Sequence, residues 1–124
     1  MLRIAGAFAV AASLWSVQAL AQQTGPNGGL VAGKGGHQTE LVLSPTELSV
    51  FLLDRGKTHE TTGTKARAVI QQSGKTITVG LVDQQGKKLV GSLESPVEKG
   101  AIVVISGKDH HGDPISARYT SQIA

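Results

Sequence analysis

The sequence predicts an all-β protein, and three observations carry that expectation. Between His37 and Thr120 the apolar residues recur at every second position in short runs, the period of a half-buried strand. Turn-forming clusters separate those runs at intervals of about 8–12 residues, the spacing of a sandwich or barrel. No window of about 11 residues carries a helical 3.6-residue apolar period. Strict alternation buries one face and wets the other, which favours antiparallel sheets packed face to face. The length then fits a small antiparallel seven-strand immunoglobulin-like sandwich of about 100 residues; a small open β-barrel is the competing architecture.

Taken in order, the chain opens on an export signal. Arg3 precedes an apolar run from Ile4 to Val17, and Ala19-Leu20-Ala21 supplies the small-x-small pattern of a cleavage site. Residues 1–21 are therefore expected to be removed before Gln22. The run ends at Gln18, short of the roughly 20 apolar residues of a membrane span, so the mature chain is expected to be periplasmic and without a membrane anchor. Residues 22–36, QQTGPNGGLVAGKGG, hold six glycines and a proline and read as a loop-like lead-in to a β-domain spanning 37–124.

The strands of that domain follow from alternation. His37 to Leu43 places Leu41 and Leu43 on one face, and Ser44-Pro45-Thr46 turns the chain into Glu47 to Leu53, where Leu48, Val50 and Leu52 face inward. Beyond the polar turn 54–57 and a weakly patterned THETTGT segment, Lys65 to Gln72 directs Ala66, Ala68 and Ile70 inward. Ser73-Gly74 is a tight-turn dipeptide leading to Lys75 to Val82, with Ile77, Val79 and Leu81 inward. Lys87 to Leu93, Ala101 to Gly107 and Ile115 to Thr120 complete seven strands. Their inward residues are Leu89, Gly91 and Leu93, then Ala101, Val103 and Ile105, then Ile115, Ala117 and Tyr119. Lys65, Lys87 and Lys88 look like charges that protect sheet edges.

Composition narrows the function. The chain has no cysteine, so disulfides and thiolate ligands are excluded and any metal must be held by His and carboxylate. Of twelve basic residues only Arg3 falls in the signal, leaving a net charge of +2 against nine acidic ones, too mild and scattered for a nucleic-acid reader. Phe51 and Tyr119 are the aromatics left after the signal, too few for a stacking platform. No Gly-x-Ser-x-Gly elbow, His-Glu-x-x-His helix or phosphate-binding glycine loop occurs, so the protein is expected not to be an enzyme.

The segment GPNGGLV at 25–31, followed by ELVL at 40–43 and LSVFLLDRGK at 48–57, resembles the N-terminal β-domain of periplasmic adaptor subunits of heavy-metal efflux pumps. It is also similar to small free-standing exported proteins with the same opening and a strand like GHQTEL at 36–41. The resemblance covers residues 25–60. It implies a periplasmic β-module tied to transition-metal homeostasis, with a metal-efflux or other cell-envelope protein as partner. The family offers His or Asn at position 27, and this chain has Asn27. The glycines have a backbone reason of their own, since Gly28 and Gly29 can take positive φ and let the lead-in fold against the first strand.

The four histidines are the candidate metal ligands. His37 is in phase with Leu41 and Leu43, so it is expected to point inward near the mouth of the fold, opposite in face to Glu40. His59 lies in a polar connection beside Glu60. Asp109-His110-His111-Gly112-Asp113-Pro114 lies between the last two strands and consists of turn formers. It is expected to be a hairpin loop in which His110 and His111, with Asp109 or Asp113, could hold a Cu or Zn ion weakly. A stronger site needs His37 or His59 to reach that loop.

Overall fold

The computed structural model describes residues 23–34 and 37–122; the expected signal, 1–21, lies outside them. Ten strands and no helix occur among the described residues. They are β1 (Gln23–Thr24), β2 (Leu30–Lys34), β3 (His37–Leu43), β4 (Glu47–Asp54), β5 (Lys57–His59), β6 (Lys65–Gln72), β7 (Lys75–Gln84), β8 (Lys88–Ser92), β9 (Ile102–Lys108) and β10 (Pro114–Thr120). All pair antiparallel in one hydrogen-bonded order, β1-β2-β3-β4-β8-β7-β6-β9-β10, with β5 attached to β4. The sheet curls into a half-barrel and brings β10 onto β2 and β3.

This corrects the expectation in two respects. There are ten strands in place of seven, and β7 joins the two halves of the sheet where a sandwich would keep them apart. Residues Lys75–Leu81 contribute the long pairing with β6, and Val82–Gln84 the short pairing with β8. The additional strands come from segments with no side-chain alternation. The glycine-rich lead-in supplies β1 and β2 through backbone pairing, Leu30 opposite Leu41 and Val31 opposite Glu40. In β4–β5 the connection Arg55-Gly56 takes φ of 54° and 83°, the two positive values of a type I′ hairpin. Ser73-Gly74, at 49° and 72°, forms the same kind of turn between β6 and β7, as its dipeptide predicts.

The core lies inside the curl. Leu41, Leu48, Val50, Ala68, Ile70, Leu81, Leu89, Val103, Ile105 and Ala117 are buried there, as the alternation predicts, with Tyr119 as its one aromatic. Val97, from the loop between β8 and β9, is buried with them and fills volume that no strand supplies. Ile77 departs from its strand: it is 37% exposed although it pairs with buried Ile70, and β8 joins β7 only from Val82, so no strand covers it on the other side. The expected edge guards are also placed differently. Lys88 begins β8, which is flanked by β4 and β7, and Lys65 begins β6, flanked by β7 and β9; Lys87 sits in the β7–β8 turn.

Candidate functional site

Two constructions are built on this frame, one around the Gly-Pro-Asn-Gly-Gly loop and one at the end of the half-barrel that carries the histidines. The first explains the loop. Glu40, on the outer face of β3, is fully buried because the lead-in folds over it. Its Oε2 accepts the backbone N–H of Gly29 at 2.7 Å and that of Asn27 at 2.9 Å. Its Oε1 accepts the Asn27 side-chain amide at 2.9 Å, and the same amide donates to Thr58 Oγ1 at 3.0 Å. Hydrogen bonds to an ionised acceptor are stronger than neutral ones, so three donors on one buried carboxylate fix the loop. Asn27 thus ties the lead-in to β3 and β5.

The glycines serve this construction in different ways. A Cβ on Gly25 would stand 2.6 Å from Glu40 Oε1 and 2.8 Å from Oε2, so the carboxylate occupies the space a side chain would need. Gly28 has φ of 81°, as expected for positive φ. Gly29 does not; its Cβ would collide with the Leu41 carbonyl oxygen and lie 2.8 Å from Val42 Cγ2, so close approach is its requirement. On the opposite face of β3, Thr39 and Tyr119 share a buried hydrogen bond between their hydroxyls, joining β3 to β10. Burial pushes the Tyr119 phenol well above its ordinary range, the Thr39 bond opposes this, and the nearby Glu40 charge adds to it.

The second construction is the histidine end. Antiparallel register brings together the start of β3, the ends of β4, β7 and β9, and the starts of β6, β8 and β10. His37, opposite Asp54, His59, opposite Leu52, and the 109–113 loop all lie at that end. His37 is exposed, which corrects the expected inward placement: its phase is inward, but the strand has already left the core. Thr39, two residues on, is the first buried residue in that phase. His59 is exposed on β5.

The 109–113 segment is the β9–β10 loop. Asp109 Oδ1 accepts the backbone N–H groups of His111 and Asp113, each at 2.9 Å. The Asp109 N–H donates to the Asp113 carbonyl, and Gly112, with φ of 84°, donates back to the Asp109 carbonyl, both at 3.0 Å. Desolvation raises the Asp109 carboxyl, but those N–H groups and the adjacent imidazoles outweigh it and hold it below the usual range. His110 and His111 are exposed, with ring centroids 3.8 Å apart and planes tilted by 41°. A Cβ on Gly63 would lie 2.8 Å from His110 Cβ, so the 61–64 connection packs directly under this loop. That connection is held in turn: the Thr61 N–H donates to the Gly86 carbonyl at 2.9 Å, and its hydroxyl donates to Asp83.

Of the six candidate ligands, His110 and His111 are brought into contact. Asp109 is engaged in the turn, and Asp113 is exposed beside it. His37 and His59 share the end but not the loop; among the described residues no group of three or more His, Cys, Asp or Glu is placed to hold a metal ion. The sequence reading missed the role of Glu40. The signal present was a glutamate in a strand beside a glycine-rich segment, with nothing local to show that the two meet. No family model, no curated protein and no solved structure matches this chain.

Proposed function

We propose that this chain is a non-catalytic periplasmic accessory module for transition-metal homeostasis or efflux, which holds a copper- or zinc-type ion loosely as cargo at its histidine end. The observation that carries this reading is the contact between the His110 and His111 rings on a loop already fixed by Asp109. Two exposed imidazoles on a preformed turn are borderline donors suited to Cu(II) or Zn(II). A pair of donors leaves the remaining coordination positions to water or to a partner, so the ion stays exchangeable, as cargo must. The partner in this reading is a metal-efflux or other cell-envelope protein, which follows from the resemblance over residues 25–60.

Calorimetric titration with Cu(II), Zn(II) and Ni(II) tests the reading. We expect a dissociation constant below about 100 μM, roughly 5.5 kcal/mol, for at least one ion, and loss of that heat in the His110→Ala, His111→Ala double variant. Absence of binding at that level in the native protein contradicts it.

A second reading, a ligand-free structural or protein-interaction module of the cell envelope, is favoured by the Glu40 construction. The loop that carries the resemblance has its Asn27 amide and its Gly29 N–H committed to Glu40 and Thr58, which gives that motif a purely structural reason.

A further inference from the structure

The half-barrel leaves one strand edge open at its seam. Lys75–Leu81 of β7 pairs with β6 alone, while β8 takes up pairing only from Val82. The two-residue Ser73-Gly74 turn makes Gln72 and Lys75 a hydrogen-bonded pair, so alternation directs the N–H and C=O of Thr76, Thr78 and Gly80 away from β6. At Gly80 the far side is already closed, since its carbonyl oxygen lies 3.1 Å from where a Cβ of Gly91 would stand. The open stretch is therefore Lys75–Val79, with Thr76, Ile77 and Thr78 all exposed. An exposed edge of this kind, with a single charge at its first residue, is a template for another strand. Beside it runs a groove of about 600 Å³ whose walls include Ile77, Val79, Leu93 and Val97. Its charged lining residues are Glu47 and Glu94, with no lysine or arginine among the residues that line it.

We propose that this edge pairs with the same edge of a second copy, forming an isologous antiparallel dimer whose two-fold axis passes through Ile77. In that register Thr76 of each copy exchanges backbone hydrogen bonds with Thr78 of the other, and the two Ile77 side chains meet in a close, non-hydrogen-bonded pair. Lys75, the one charge on the open stretch, comes opposite Val79 of the other copy, at the mouth of the groove that Glu47 and Glu94 line. Each copy thus supplies a cation to a groove whose lining residues include two carboxylates and no lysine or arginine. Glu47 already lies 3.9 Å from Lys88, which leaves Glu94 as the main acceptor. No like charges are set directly opposite one another, the arrangement that destabilises paired strands. The dimer leaves the histidine end uncovered and holds whether or not that end takes a metal.

Sedimentation velocity over a concentration series, on the full chain expressed with its export signal and purified as the cell processes it, tests the proposal. The expected result is a sedimentation coefficient that climbs with concentration to the dimer value. Ile77→Lys, which sets two like charges on the axis at an exposed position, is expected to remain monomeric with an unchanged circular dichroism spectrum. Lys75→Glu is expected to weaken the dimer, and Lys75→Glu combined with Glu94→Lys to restore it. A native protein that stays monomeric at every concentration overturns the proposal, including the case in which a foreign strand uses the edge. So does a dimer that persists in Ile77→Lys, or a charge reversal that changes nothing.

Discussion

Glu40 shows how one residue can organise a segment that contains almost no side chains. Its carboxylate accepts three N–H donors from the lead-in while fully buried, so a change there should be felt well beyond its own strand. Replacing it with Gln removes the charge and presents an amide to donors that need an acceptor. We expect a loss of about 1–3 kcal/mol, the cost of leaving a buried group unsatisfied, read as a lower urea midpoint. Gly25→Ala should cost about as much through overpacking, because the carboxylate stands where the new Cβ must go. Tyr119 supplies a second test. Its phenol is raised in the folded state, so the folded chain holds a proton that the unfolded chain releases near the ordinary value of about 10. Its contribution is complete below that pH and is lost as the pH rises above it, by up to about 1.4 kcal/mol per pH unit. As the chain's single tyrosine, it can be followed directly by tyrosinate absorbance, which should titrate well above pH 10 in the native protein and near it in denaturant.

Among the elements, legibility in the sequence tracks side-chain alternation. The faces of β4, β6, β9 and β10 were readable because Leu48, Val50, Ala68, Ile70, Val103, Ile105 and Ala117 sit two residues apart and are buried. β1, β2 and β5 were not, since QT and KTH are polar throughout and LVAGK does not alternate, so each leaves its signal in backbone pairing, which has no local signature. Phase places both His37 and Ile77 inward, but it cannot say where along a strand the core ends, as at His37, or whether a neighbouring strand covers the position, as at Ile77. The β9–β10 loop was legible as a turn, and its stability should follow Asp109. The carboxyl is held low in the folded loop, so its contribution is present above the ordinary carboxylate value near 4 and fades as the pH falls through the folded value. The protection of the His111 and Asp113 amides, taken relative to their intrinsic exchange at each pH, should therefore fall in acid, and Asp109→Ala should lower it at neutral pH. Equal exchange in the native chain and the variant would contradict the role given to this side chain.

For the whole molecule, the all-β class was fixed by period and turn spacing, while closure depended on contacts far apart in sequence. Thr39 reaches Tyr119 across the curl, and the lead-in reaches Glu40; neither partner is marked by its neighbours. The candidate site was legible as an inventory of four histidines but not as a geometry. Topology collects them at one end, and only the adjacent pair touches. The central claim, that this end carries a loosely held metal, is tested most directly by following the imidazole resonances of the four histidines by NMR while Zn(II) is added. We expect the His110 and His111 signals to move first and together, with His37 and His59 following only at higher metal. Four sets of resonances that stay unchanged, or shifts confined to His37 and His59, would contradict it.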